Sequence, residues 1–269
     1  MKWLGWSRTG VAEQSKNACK PRFLVLACDW VFVWVFVCAL GVFAPPARVQ
    51  AAEINEAREI EIGDELAVTL LEGAKLLNND RAQEYVNQVG RWLTTGTERA
   101  DLPWQFGIMD RAEIGSYPLP GGKVLITRGM LKKLNSEAEL AGVLAHEIAH
   151  VVKRHQLKTM AAEGGQEKLG AINFPMDRAL EFEADRMAAV IMARAGYDAN
   201  AYLNVLRTLQ NDRSNDQGLA MLNAVHPSFK DRIAELTPVV AKIAQSAQPD
   251  KGRERFQAAL GNLSGAGRK

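Results

Sequence analysis

The stretch His146-Glu147-Ile148-Ala149-His150 holds the side chains with the clearest potential for catalysis. In a helix, which turns about 100° per residue, His146 and His150 leave the same face one turn apart. The two imidazoles can therefore bind one metal ion, and zinc is expected because imidazole and carboxylate are its common catalytic ligands. Glu147 projects beside them and could take a proton from a metal-bound water. The alternative, two histidines that only pair with surface carboxylates, is disfavoured by the apolar residues around the motif.

A third metal ligand is expected from the later run Glu181-Phe182-Glu183-Ala184-Asp185, which we predict to lie on a second helix. Glu181 and Asp185 share one face of that helix, one turn apart. We predict that Glu181 binds the metal and that Asp185 accepts a hydrogen bond from a ligand imidazole. Glu183 points elsewhere and is predicted to be a surface charge that pairs with Arg186. The alternative is that Glu181 and Asp185 are both solvated surface charges.

The histidines need a helix to hold them, and residues 136–155 are predicted to form one. Ser136 followed by Glu139 is a capping box, and apolar residues then recur at helical spacing. His155 comes nine residues after His146, about half a turn away from it around the helix. We therefore predict that His155 faces away from the metal and caps the end of this helix, where positive charge is favoured.

A β-hairpin is predicted before the helix. The residues Ser116, Tyr117, Pro118 and Leu119 precede a Gly121-Gly122 turn signal, and β-branched residues follow at 123–127. Prolines suit an edge strand, where a missing amide donor breaks no ladder. An edge strand near the metal could bind a peptide substrate as an added strand. A hairpin that only supports the helix is an equally open alternative.

The remaining periodic segments predict a mainly helical α+β domain with a small sheet, spanning residues 52–243. Helices are expected at residues 53–77, 81–95, 177–195, 199–210 and 229–243, and a strand is expected at 104–108. Residues 244–269 contain many Ser, Gln, Gly and charged residues. We predict that they form a polar, disordered tail.

Residues 1–51 have the composition of an export signal. Basic residues precede an unbroken apolar run at 30–43, and a small-residue site ends at Ala51. Cleavage after Ala51 is the preferred prediction, and an uncleaved membrane anchor over residues 23–43 is the alternative. Lipid attachment at Cys28 has weaker support, because few apolar residues precede it. Both a cleaved signal and an uncleaved anchor would export the catalytic part, since the positive charge lies on the N-terminal side of the apolar run.

Charge and cysteine content agree with this division of the chain. All three cysteines lie in residues 1–51, so the rest of the chain has none for a disulfide. The leader holds six basic and two acidic residues, which leaves 27 basic and 29 acidic residues from 52 onwards. The basic balance of the whole chain is therefore a targeting feature, and it gives no reason to expect nucleic-acid binding.

Four motifs together resemble peptidase family M48, a group of metallopeptidases that includes CAAX prenyl proteases and soluble exported members. They are HEIAHVVKRH at residues 146–155, ExxxD at 181–185, PLPGGKVLITRGML at 118–131, and HPSFKDRI at 226–233. The resemblance implies a gluzincin-type peptidase domain in which Glu181 is the third ligand of a single zinc ion. This agrees with the assignment of Glu181 from its helical face.

The resemblance also implies roles for two residues outside the first three motifs. In similar enzymes a histidine and an arginine at the positions of His226 and Arg232 approach the metal centre. They would stabilise the oxyanion there, or the histidine would block the open metal position. A loop histidine and a surface arginine without a role in catalysis are the alternative. The chain departs from the family at residues 115–118, where Asn-Ala-Phe-Ala is often found and Gly-Ser-Tyr-Pro stands here.

These observations predict an exported, periplasmic zinc endopeptidase, and the family resemblance implies that it cleaves misfolded or unassembled envelope proteins. The predicted catalytic residues are Glu147, His226 and Arg232. The expected partners are polypeptide substrates and envelope or outer-membrane assembly factors, and membrane contact is expected only through an uncleaved leader. The alternative function is a chaperone-like or adaptor module with latent protease activity. A CAAX-type intramembrane protease is disfavoured, because no apolar run of about 18 residues follows residue 52.

Overall fold

A three-stranded sheet lies among helices in the computed structural model, which describes residues 54–162, 176–243, 252–261 and 263. The strands are β1 (Gln105–Met109), β2 (Ser116–Leu119) and β3 (Lys123–Thr127). Their order is β1-β3-β2, with β1 parallel and β2 antiparallel to β3. The prediction of a mainly helical α+β fold is confirmed, and β2 lies at an edge of the sheet as the prolines indicated.

Helices make up most of the described residues. They are α1 (Glu56–Gly73), α2 (Asp80–Thr94), α3 (Arg128–Leu131), α4 (Glu137–Val152), α5 (His155–Ala162), α6 (Arg178–Arg194), α7 (Asn200–Asn211), α8 (Gln217–Val225), α9 (Phe229–Lys242) and α10 (Gly252–Leu260). Helix α4 carries the HEIAH motif, and almost all of its residues are buried. It packs against α6 on one side and against α2, α7 and the sheet on others.

Local sequence explains where α4 begins. The Ser136 hydroxyl accepts a hydrogen bond from the Glu139 backbone N–H at 3.2 Å, as the predicted capping box requires. The Glu139 carboxylate accepts a bond in return from the Asn135 N–H at 2.6 Å. The first contact satisfies an amide group that the first turn of a helix leaves without a partner, and the second satisfies the amide just before the N-cap.

The predicted helix over residues 136–155 is wrong at its end, and so is the predicted position of His155. Helix α4 ends at Val152, and Arg154 adopts a left-handed conformation with φ 56°. The chain then turns, and α5 begins at His155, whose Nδ1 lies 3.1 Å from Nδ1 of His150. Helical spacing could not give this, because the helix is interrupted before His155 is reached.

The predicted surface position of Glu183 is also only partly right. Its side chain is 42% exposed, but the structure pairs it with His155, whose Nε2 lies 3.5 Å from Glu183 Oε2.

Within the predicted disordered tail, the structure has a packed helix. Helix α10 buries Phe256, Ala259 and Leu260, and Leu263 just after it is also buried. These four residues follow helical spacing, and their packing on α2 and α4 outweighs the polar average composition of the segment. Residues 244–251, 262 and 264–269 of the predicted tail lie outside the described part of the chain.

The predicted leader, residues 1–51, also lies outside the described residues. Among the helices that the structure does describe, each is too short or too polar to cross a lipid bilayer.

Candidate metal centre

Three buried side chains from two helices converge at the predicted ligand positions. Nε2 of His146 and Nε2 of His150, both on α4, lie 3.0 Å apart. The Glu181 carboxylate on α6 lies 3.6 Å from each of these nitrogens. Zinc bonds of 2.0–2.1 Å in tetrahedral geometry would place ligand atoms about 3.3 Å apart. The observed separations match that spacing.

The surroundings of Glu181 support a bound cation. Its side chain is fully buried, and neither carboxylate oxygen has a hydrogen-bond partner among the described residues. Burial raises the pKa of Glu181 to about 7, since an ionised carboxylate is poorly stabilised there. A metal ion between Glu181 and the two imidazoles would satisfy both oxygens. The three residues therefore fit a metal by their chemistry as well as by their spacing.

Glu147 lies on α4 directly after His146 and is also buried. The Ser116 hydroxyl of β2 donates a hydrogen bond of 2.6 Å to its Oε1. Burial raises the pKa of Glu147, and this outweighs the opposing effects of His146 and Ser116. A carboxylate with a raised pKa is suited to general base catalysis near neutral pH.

Asp185 lies one turn after Glu181 on α6, and its Oδ1 is 3.0 Å from Nδ1 of His146. Arg232 from α9 donates to both Asp185 oxygens, at 2.9 and 2.6 Å. Burial opposes ionisation of Asp185, but Arg232 and His146 hold its pKa well below the usual range. Asp185 is therefore a fixed negative charge behind His146. A metal-binding imidazole usually donates its second N–H to such a group.

Tyr202 completes this buried network, and sequence reasoning missed it. Its hydroxyl donates to Asp185 Oδ1 at 2.8 Å and accepts from Arg232 Nη2 at 2.7 Å. A tyrosine in the apolar stripe of α7 looks like any core residue in the sequence. The close approach of α7 to α4 depends on Gly142, because a Cβ there would lie 2.8 Å from Cβ of Tyr202.

The structure places Arg232 beside His146 rather than at the surface. Its side chain is buried, and Nη2 lies 3.4 Å from both ring nitrogens of His146. All its short hydrogen bonds in the described region go to Asp185 and Tyr202. The main effect of Arg232 is therefore to stabilise the negative charge of Asp185.

His226, which follows α8, also reaches the centre. Its Nε2 lies 3.6 Å from Glu181 Oε1, and its Nδ1 lies 3.1 Å from the Leu222 carbonyl oxygen. Burial lowers the pKa of His226 to about 3, so the ring is neutral at physiological pH. With the proton on Nδ1, the lone pair of Nε2 faces the ligand cluster.

A small pocket of about 80 Å³ opens beside these residues. Residues of the edge strand β2 line it, and so do Met221, Leu222 and Val225 of α8. Glu147, His150 and Glu181 line the same pocket. The predicted edge strand and the predicted metal ligands therefore border the same space.

Comparisons with known proteins also support a metallopeptidase. The model of peptidase family M48 matches residues 80–175 and 165–240. The beta-barrel assembly-enhancing protease of Escherichia coli is 24% identical over 210 residues, which cover 66% of this chain and 43% of that protein. The mitochondrial metalloendopeptidase OMA1 of Schizosaccharomyces pombe is 31% identical over 173 residues, which cover 56% of this chain and 51% of that protein. The match thus spans about half of these relatives' length or less.

Proposed function

Because this chain belongs to peptidase family M48, we propose that it is a zinc endopeptidase in which Glu147 is the general base. The observation that carries the proposal is the convergence of His146, His150 and Glu181 on one buried point, with Glu147 beside it. Two imidazoles and one carboxylate are a common catalytic zinc set that leaves one position open. When bound, such an ion lowers the pKa of water and polarises a carbonyl group. One ion per chain is expected from the one such cluster in the described residues.

Glu147 performs the proton transfers in this proposal. Its carboxylate removes a proton from the attacking water and then gives that proton to the leaving amine nitrogen. The hydrogen bond from Ser116 fixes one carboxylate oxygen, so the other remains free to face the water. The raised pKa of Glu147 suits it to both steps, since it must accept and return a proton near neutral pH.

The substrate is proposed to bind along β2 as an added strand. The Thr127 N–H donates to the Gly115 carbonyl oxygen, so by alternation the backbone groups of Ser116 and Pro118 point away from β3. Pro118 has no N–H, and its carbonyl oxygen already accepts a bond from Gln156 at 3.1 Å. Ser116 is therefore the β2 residue that can offer both a donor and an acceptor to a peptide. Its neighbour Glu147 would lie next to the scissile bond.

The test of this proposal is the variant Glu147→Gln. It should bind zinc like the wild type, because the ligands are unchanged, and it should cleave casein slower by orders of magnitude. Glu139→Gln is the matched control, since Glu139 is a buried carboxylate of the same helix that contacts Asn135 instead of the metal centre. Its activity should stay near the wild-type value. Equal casein cleavage by wild type and Glu147→Gln would refute the proposal.

The proposed substrates are misfolded or unassembled proteins of the bacterial envelope, and the proposed compartment is the periplasm. The names of the relatives that assist β-barrel assembly support this, as does the export signal that the sequence predicts in residues 1–51. Cell fractionation and the N-terminal residue of the purified protein test both parts. An N-terminus at Ala52 in the periplasmic fraction is the expected result. Recovery from the cytoplasm with residues 1–51 intact would contradict it.

A second candidate is a chaperone-like or adaptor module whose protease activity is latent. The position of His226 favours it, because Nε2 faces the Glu181 carboxylate and could occupy the open metal position. The variant His226→Ala separates the two functions. Strong activation of casein cleavage would support a latent protease. Unchanged cleavage, together with suppression of aggregation by Glu147→Gln, would support a binding function.

A further inference from the structure

His155 lies directly behind the ligand His150. The two Nδ1 atoms are 3.1 Å apart, and the rings meet edge to face with centroids separated by 5.0 Å. Both side chains are almost completely buried. The contact therefore has no competition from bulk water, and the two rings must match each other as donor and acceptor.

The local fold holds His155 in this position. The left-handed turn at Arg154 reverses the chain between α4 and α5. The Arg154 side chain donates to the buried carboxylate of Glu59 at 3.0 Å, and Arg99 binds the same carboxylate at 2.7 Å. An ion-paired hub on α1 thus stabilises a backbone conformation that is unfavourable for arginine.

The ring positions determine where each proton lies. Nε2 of His150 faces His146 and Glu181, so this nitrogen needs its lone pair for the metal, and the proton must sit on Nδ1. His155 Nδ1 must then accept that proton's hydrogen bond. The proton of His155 is left on Nε2, which has no hydrogen-bond partner among the described residues and lies 3.5 Å from the charged Oε2 of Glu183.

We propose that His155 is a positioning residue for the metal centre, which fixes the tautomer and ring orientation of His150, while the charge of Glu183 lies near its other ring nitrogen. The proposal rests on the metal site assigned under the proposed function. His155 cannot be a ligand of the same ion, because it contacts the side of His150 opposite Nε2. Partners of this kind change metal affinity about 10–100-fold when they are removed.

Helix α6 then serves all three ligands. Glu181 is a ligand, Asp185 contacts His146 directly, and Glu183 lies 3.5 Å from Nε2 of His155, the ring that contacts His150. Each of these three acidic residues therefore lies near the metal centre, including Glu183, which the sequence pattern assigned to the surface.

The experiment is competition for zinc with a chromogenic chelator. His155→Phe keeps a flat ring but removes the acceptor, and its zinc dissociation constant should rise about 10–100-fold. In His155→Gln the amide oxygen can accept from His150, so affinity should recover towards wild type. Thr159→Val is the matched control, because it removes a buried hydrogen bond to the His155 backbone carbonyl but leaves the His155 ring and His150 unchanged. Its affinity should be unchanged. Wild-type affinity in a folded His155→Phe protein would overturn the proposal.

A second measurement decides the question if His155→Phe does not fold. Imidazole nitrogen NMR of zinc-loaded wild type should show the His155 proton on Nε2 and the His150 proton on Nδ1. A proton on Nδ1 of His155 would overturn the proposal, since the ring could not accept from His150. Both readouts are independent of cleavage, so they can fail while the Glu147→Gln test succeeds, and the reverse is also possible.

Discussion

At the scale of single residues, two carboxylates one turn apart on α6 have opposite properties. Burial raises the pKa of Glu181 to about 7, because its oxygens have no hydrogen-bond partner among the described residues. Asp185 is equally buried, but Arg232 and His146 hold its pKa well below the usual range. Asp185 is therefore always charged at neutral pH, whereas Glu181 needs a cation to be stable in its charged form.

Glu181→Gln should stabilise the metal-free protein at neutral pH. The folded pKa of about 7 lies above the ordinary value of 4.5, so burial penalises the folded state once the unfolded chain ionises. The penalty is absent below pH 4.5, grows between pH 4.5 and 7, and is then constant at no more than about 3 kcal/mol. Urea unfolding at pH 4.5 and at pH 7, with a metal chelator present, measures this free-energy penalty.

Excess zinc should reverse the order of stability, because zinc binds the folded wild type more tightly than the amide variant. Glu139→Gln is the control, since Glu139 already has hydrogen-bond partners and gains nothing from losing its charge. A Glu181→Gln variant no more stable than wild type at pH 8 without metal would show that another group neutralises Glu181.

At the scale of elements, local signals predicted where structure begins better than where it ends. The cap at Ser136 was readable because it depends on residues three positions apart. The end of α4 was not readable, because the left-handed turn at Arg154 is supported by Glu59, which is distant in the sequence. No glycine or proline marks the break. Because the predicted helix continued through residue 155, His155 was assigned to the face away from the predicted metal ligands.

The sheet shows the same division between local and long-range information. The prolines predicted an edge at β2, but nothing local predicted how the opposite edge is closed. Side-chain amides of α2 do this: Gln83 bonds to both backbone groups of Ile108, and Asn87 bonds to both backbone groups of Phe106. With β1 covered, β2 is the sheet edge left to receive a peptide.

Pro118→Ala should strengthen peptide binding at β2. The substitution adds an outward N–H next to Ser116, so an added strand can form one more hydrogen bond. We expect KM for a peptide substrate to fall a few-fold with kcat nearly unchanged, which is the sign of uniform binding. Steady-state kinetics with a fluorogenic peptide would measure both constants.

Gln156→Ala is the matched variant, because it frees the acceptor at Pro118 without adding a donor. Its effect on KM should be in the same direction and smaller. If both variants leave KM unchanged while Glu147→Gln is inactive, the substrate does not pair with β2, although the assignment of the base still stands.

At the scale of the whole molecule, α4 is the helix around which the other elements pack. Small residues make this possible: Ala184, Ala188 and Ala189 of α6 are fully buried, and α6 makes the most extensive contact with α4. Composition and periodicity predicted such a core. They did not predict that α10 belongs to it, because a short amphipathic segment after a polar stretch resembles a tail.

Phe256→Ala tests whether α10 is a cooperative part of the domain. Phe256 is 4% exposed and packs into the same core as α4, so its truncation should lower the free energy of unfolding by about 3–5 kcal/mol.

Arg255→Ala is the control, because that side chain is 63% exposed and Glu137 keeps hydrogen bonds from Tyr85 and Tyr197. It should cost no more than about 1 kcal/mol. Casein cleavage per folded molecule should be unchanged in both, since Arg255 of α10 bonds to Glu137, which lies in the first turn of α4, well before His146. Urea unfolding of the full chain measures the difference, and equal small losses in the two variants would mean that α10 unfolds on its own.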